Sequence, residues 1–151
     1  MRIEDEIKQE KFVDEIQKLI INQLFTGKWI TGLIAKQLKP FKITSQQYNV
    51  LRILRGQKGK PANLSTIQER MLNKMSNTTR LIDKLLKKDL VTRQTCPTNR
   101  RKVEILITNK GLALLGELDT IVTSSNENIT KQLSISELET LNQLLDKLRT
   151  H

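Results

Sequence analysis

Between residues 64 and 107 the apolar pattern changes period, and that change restricts the possible folds more than any other feature of the chain. In LSTIQERMLNKM, the spacing of Ile67, Met71 and Leu72 predicts a helix of about two turns, broken at Asn73. A second helix is predicted from Ser76, with Leu81, Ile82, Leu85 and Leu86 on one stripe and Asn77, Arg80, Lys84 and Lys87 outside it. The pattern then shortens to two β-prone runs, Leu90 to Gln94 and Val103 to Ile107. TCPTNRRK lies between them, and its Pro97 and Asn99 favour a turn. Two short helices joined by a tight turn and followed by a hairpin with a basic tip make a winged helix-turn-helix.

The flanking segments read as helix. Apolar residues recur from Ile3 to Leu38 at mostly helical spacing, predicting one long helix, weakened at Gly27 and Gly32 and stopped by Pro40. Thr44 with Gln47 has the form of a capping box for a helix ending near Gly56, and GQKGKPAN then marks a turn. Ser65 with Gln68 repeats the box. Thr108 is the expected cap of a helix through Leu112, Leu115, Leu118 and Val122, and Ser136 with Glu139 is expected to open the last helix. The predicted fold is mainly α with a small β-hairpin. A winged helix-turn-helix lobe at 40–108 lies within a single domain of residues 1–151 whose helical ends, 1–39 and 109–151, serve dimerisation. Aromatic residues are only 3% of the chain, so the core rests on Leu and Ile and an all-β sandwich is disfavoured.

Charge divides unevenly. Residues 1–39 hold seven basic and six acidic side chains, residues 40–102 fifteen and three, and residues 103–151 four and seven. A basic centre between near-neutral ends is the footprint of a polyanion-binding module, the competing reading being a solubilising face. The N-terminal MRIEDEIKQE reaches no apolar core, and no run of eighteen apolar residues occurs, so a cytoplasmic protein without a membrane partner is expected. One cysteine, Cys96, and one histidine, at the last position, offer neither a disulfide framework nor a metal cluster. Without GxxxxGK[ST], GxGxxG or an internal His, no catalytic residue and no cofactor is expected.

LSTIQERMLNKMSNTTRLIDKLLKKDLVTR, followed by the hairpin and KVEILITNKG, resembles the MarR family of bacterial transcription regulators. The resemblance is carried by Thr79 and Arg80 before the run Leu81 to Leu85, by Leu90, Val91 and Arg93, and by Ile107, Thr108 and Gly111. Two positions depart from it: Asp89 stands where the family usually has Gly, and Asn99, Arg100, Arg101 stand where it usually has Asp-x-Arg. The resemblance implies a homodimer on a pseudo-palindromic double-stranded DNA site, acting as a regulator and with repression the expected outcome.

The expected DNA contacts are Ser76, Asn77, Thr78, Thr79, Arg80, Lys84 and Lys87 on the second helix, with Arg100 and Arg101 on the wing. Arg is suited to guanine O6 and N7, whereas Lys84 and Lys87 suit phosphate. By resemblance, Arg101 enters the minor groove. Helix capping by Ser76 and solvation by the lysines are the competing readings of these residues. The resemblance also implies a cleft for a small aromatic or anionic effector, with Trp29 and Tyr48 as candidate lining and simple core packing as the alternative. Cys96 is a redox candidate only if its arginine neighbours favour the thiolate, the default being an inert cysteine. A winged-helix protein-interaction adaptor and a nonspecific nucleic-acid binder are the rival functions. The adaptor calls for an apolar or acidic outer face on the second helix, and here that face is basic.

Overall fold

The computed structural model describes residues 1–96 and 99–150, the side chains of Cys96, Arg100, Arg101 and Lys102 lying outside that description. In chain order the elements are α1 (Ile3–Ile7), α2 (Glu15–Leu38), a 3-10 turn (Lys39–Phe41), α3 (Ser45–Gly56), β1 (Ala62–Asn63), α4 (Leu64–Arg70) and α5 (Thr78–Leu86). The hairpin β2 (Val91–Cys96) and β3 (Asn99–Ile107) follows, then α6 (Asn109–Thr130) and α7 (Ile135–Leu148). The architecture is the mainly α fold with a small antiparallel sheet that the sequence predicts, with one strand more than expected. β1 adds to the far side of β3, giving the order β1-β3-β2, with Ala62 opposite Ile105 and Arg93 opposite Ile105 on the other side.

The long N-terminal helix is interrupted. Lys8 takes a left-handed backbone (φ 54°) and closes α1, and the helix restarts where the Asp14 carboxylate accepts the Gln17 N–H at 2.7 Å. Gln17 reciprocates by accepting the Val13 N–H at 2.9 Å. Between Ile7 and Phe12 the chain is KQEK, with no apolar side chain to hold it against anything. Gly27 and Gly32 lie inside α2 without breaking it, and Pro40 falls in the 3-10 turn, where its missing N–H is tolerated.

Three expected caps move. Asn63, not Ser65, caps α4, accepting the Thr66 N–H at 2.8 Å, which adds Leu64 and Ser65 to the first turn of the helix. Asn77, not Ser76, caps α5. Ser134 and Glu137, not Ser136 and Glu139, form the capping box of α7, a register that places Leu133 and Leu138 at the two positions of a hydrophobic staple. The Thr44–Gln47 box and the Thr108 cap stand as expected.

One buried cluster joins the end of α2 (Leu38), α3 (Val50, Leu51, Leu54), the helix-turn-helix (Ile67, Ile82, Leu85), the sheet (Val91, Ile105) and α6 (Leu115, Leu118). Between α5 and β2, Asp89 adopts φ 57°, with Leu90 N–H bonded to Leu85 O at 3.1 Å and Asp89 N–H to Leu86 O at 2.9 Å. This is a Schellman closure whose left-handed position tolerates Asp at modest cost. The Leu90 carbonyl in turn accepts the Thr108 N–H at 3.1 Å, and Gly111 sits against it. A Cβ on Gly111 meets that oxygen at 2.3 Å and Ile107 Cγ1 at 2.8 Å.

Gly111→Ala is therefore expected to destabilise the protein by about 1–3 kcal/mol through overpacking. Gly116→Ala, in open space on the same helix, is expected to stabilise it by roughly 0.5–1 kcal/mol. Urea denaturation midpoints check both, and equal shifts for the two variants would refute the close approach at Gly111.

Candidate nucleic-acid interface

The recognition unit is α4, the turn 71–77 and α5. Its angle is set by Gln68, whose amide donates to the Lys74 carbonyl at 2.6 Å while its carbonyl oxygen accepts the Thr78 hydroxyl. Thr78 is thus buried and turned towards α4, not outward with the other expected contacts. Asn49 of α3 fixes the entry to the turn by accepting the Leu72 N–H at 2.8 Å. The Ser76 hydroxyl oxygen is buried without a partner among the described residues, while the residue itself is partly exposed and lines the groove that Arg80 and Lys84 border. Asn77 is exposed, but its side-chain oxygen accepts the Arg80 N–H at 3.0 Å and is engaged as a cap.

On α5 the buried stripe of Ile82 and Leu85 leaves Thr79, Arg80, Asp83, Lys84 and Lys87 exposed. Asp83 lies 3.5 Å from Arg93 of β2, so the acid on this face is paired with the wing. Arg80 and Lys84 border a groove of about 260 Å³ with Gln46, Asn73, Met75 and Asn77. The wing strands are tied by Gln94 donating to Glu104 at 2.9 Å. Arg100 and Arg101 belong to β3, and their side chains are outside the described residues, as is that of Cys96. The exposed cations Lys84, in the last turn of α5, and Lys87, at its C-cap, suit phosphates, and Arg80 with Thr79 in the first turn supplies directional donors for base edges.

A second feature joins this lobe to α6. The Tyr48 hydroxyl donates to Asp119 at 2.7 Å, and Arg55 pairs with the same carboxylate. Burial, and then the bond to Asp119, push the Tyr48 phenol up to about 12. Burial opposes ionisation of Asp119, but the bonds from Arg55 and Tyr48 outweigh it and hold the carboxyl below its usual range. Tyr48 also lines a cleft of about 410 Å³ with Asn49, Arg52, Met71, Val122 and Asn126. Trp29 is not part of that cleft and stands half-exposed on α2, so the two aromatic candidates are not brought together. Asn49 and Asp119, missed in the sequence, and Gln68, expected there only as a capping partner of Ser65, act through partners that the fold brings near, whereas Asn63, also missed, acts on Thr66 three residues away. Asn63 alone had a local signal, an Asn before a helical run.

The MarR family model matches residues 43–103, which include α3, the helix-turn-helix and most of the hairpin. A MarR transcription factor from Planctomyces limnophilus is 31% identical, over 90% of this chain and 98% of its own, with a TM-score of 0.70. The chain belongs to the MarR family. A MarR variant from E. coli in complex with operator DNA is 25% identical over 93% of this chain and all of its own, at a TM-score of 0.81. BpsR from Bordetella bronchiseptica, whose DNA binding is regulated by 6-hydroxynicotinic acid, shares the fold at 20% identity, over 91% of this chain and all of its own, with a TM-score of 0.76. As a MarR protein this chain is a DNA-binding transcription regulator and not an enzyme. No helix among the described residues is long and apolar enough to cross a membrane.

Because the folded phenol lies above its ordinary value of 10.0, its burial and bond to Asp119 stabilise fully below pH 10 and are lost as pH rises through about 12. Tyr48 is the sole tyrosine, so absorbance near 295 nm follows it alone. The folded protein is expected to titrate near 12, and Asp119→Asn part-way back, since burial remains. A folded-state midpoint at 10 would show that the phenol is not held.

Proposed function

We propose that two copies of this chain grip a pseudo-palindromic duplex, with α5 of each in successive major grooves and half-sites about one helical turn apart. The observation that carries this reading is the outer face of α5, where Thr79, Arg80 and Lys84, with Lys87 at the C-cap, stand exposed along a helix whose first residue is held by Gln68. Within it, Arg80 reads a base edge with Thr79 beside it, and Lys84 and Lys87 hold phosphate. Asn77, Thr78 and Ser76 position the helix. Arg101, with Arg100, takes the minor groove, as the family resemblance implies. The likeness to E. coli MarR in complex with operator DNA supports this docking.

The second copy is argued from apolar surface. Ile16 and Leu24 on α2 are 72% and 70% exposed, and Ile135, Leu144 and Leu148 extend the same character along α7. Faces of this size on a single chain mark a partner surface, and a two-fold axis covers both copies at once. Residues 1–39 and 109–151 are then the dimerisation part, and 40–108 the DNA-binding lobe. An effector, small and aromatic or anionic, takes the cleft beside Tyr48 and Arg52 and shifts DNA occupancy only if it binds the two lobe arrangements unequally. The regulator works in the cytoplasm, where its DNA is, and by repression.

Selection of bound duplexes from a random library at physiological salt tests the core of this. A pseudo-palindrome is expected. Recovery of no motif, with binding that vanishes as salt rises, points to a nonspecific binder, and no binding at all to an adaptor. On the selected duplex, Arg80→Ala is expected to relax base preference by about 1–3 kcal/mol, while Lys87→Ala weakens all sequences alike. Leu24→Glu with Leu144→Glu is expected to leave a monomer in sedimentation, and wild-type chain that sediments as a monomer at micromolar concentration would sink the dimer.

A further inference from the structure

From Ile16 to Gln68 the chain contains no Asp or Glu, while it carries seven lysines and two arginines. Three of these, Lys36 at the end of α2, Lys39 in the 3-10 turn and Lys42 just after it, converge on one open groove of about 780 Å³ with Thr44, Ser45 and Gln46. None of the three has an acidic partner within an ion-pair distance among the described residues. A fourth cation is drawn to the same place, since the Lys88 ammonium donates to the Lys42 carbonyl. Concentrating like charge in this way destabilises a free chain slightly and is relieved by a polyanion.

The groove's position says which polyanion. Gln46, the second residue of α3, borders both this groove and the one that holds Arg80 and Lys84, so the two basic surfaces are continuous across it. We infer that Lys36, Lys39 and Lys42 form a second DNA-contact surface, outside the helix-turn-helix and the wing, that holds the phosphate backbone beside the recognition helix. This rests on the reading of α5 as the helix that enters the major groove. Lysine is a point charge without the planar fork that reads a base edge, so the surface adds affinity and register but no sequence preference. Lys42 closes the 3-10 turn in a left-handed conformation (φ 55°), its N–H bonded to the Lys39 carbonyl at 2.9 Å.

The test compares wild-type chain with Lys36→Gln/Lys39→Gln/Lys42→Gln and with the triple Lys→Arg variant, on the selected duplex and a scrambled duplex of equal length. All three proteins are first matched for fold by thermal melting. The Gln variant is expected to bind both duplexes at least about tenfold more weakly at physiological salt, with the slope of log K against log salt flatter by about 0.9 for each phosphate that is no longer neutralised. The Arg variant is expected to restore both. Unchanged affinity and slope in the Gln variant would overturn the inference, as would a loss confined to the selected duplex. Unchanged DNA binding with lost response to a small anion would also overturn it and make the groove an effector site. A wild-type chain that binds neither duplex would instead remove the reading of α5 beneath it.

Discussion

The relation between recognition helix, wing and α6 hangs on the Leu90 backbone. Asp89, left-handed, ends α5 and leaves Leu90 as the one residue between it and the first position of the hairpin, Val91. The Leu90 N–H closes α5 onto Leu85, while its carbonyl receives Thr108, the cap of α6. Three elements therefore share one residue's backbone, and none can tilt without breaking a bond to it. Gly111 is required because the first turn of α6 is drawn against that same carbonyl, with no room for a methyl group. The side chains then finish what the backbone begins: Lys110 reaches the Lys88 carbonyl at 2.8 Å, and the Thr108 hydroxyl donates to the Asp89 carbonyl at 2.8 Å. A wing so tied to its helix moves with it as a unit.

The opposite side of the lobe is held by a softer joint. Asp119 of α6 meets Tyr48 and Arg55 of α3, and the Arg55 ion pair, with both side chains partly exposed, contributes at most about 1 kcal/mol. The Tyr48 hydrogen bond to a charged oxygen is worth more, roughly 1.5–3 kcal/mol, because the phenol is buried. Tyr48 is also a wall of the cleft, with the Arg52 guanidinium 5.8 Å from its ring centre. Whatever enters the cleft thus touches the residue that fastens the lobe to α6. The buried core that Leu115 and Leu118 share with α3 holds the two elements together, and the Tyr48–Asp119 bond adds a polar joint at its cleft-facing edge.

Local pattern carried most of the fold into view. The stripe of Leu81, Ile82, Leu85 and Leu86, the Thr44 box, the Thr108 cap and the two β-prone runs each fix an element within a few residues, because period and capping are short-range. The errors cluster where two polar residues compete for one cap: Asn63 against Ser65, Asn77 against Ser76, Ser134 against Ser136. There both candidates carry a side-chain oxygen one or two residues apart, and local pattern alone does not say which one ends the extended backbone. β1, at two residues, is too short to carry a period and exists only because β3 offers it an edge. Of the site, the exposed cations of α5 were legible from charge and spacing. Thr78 was misplaced because its partner, Gln68, is ten residues away, and the Tyr48–Asp119 bond spans 71, beyond any local signal.

The order of charge along the chain also bears on how two copies would meet. Residues 40–102 carry a net +12 and the flanking parts +1 and −3, so two chains joined through their ends bring together near-neutral surfaces and keep the strongly basic lobes apart. With recognition helices about 34 Å apart, the spacing of one turn of duplex, lobe–lobe repulsion is screened at physiological salt, where the Debye length is about 8 Å. At about 0.01 M salt that length grows to about 30 Å, comparable with the spacing, and the lobes of a free dimer repel. Duplex placed between them reverses the sign, because its phosphates meet both basic lobes. The same charge pattern thus favours association through the ends of the chain, and docking on DNA through its middle.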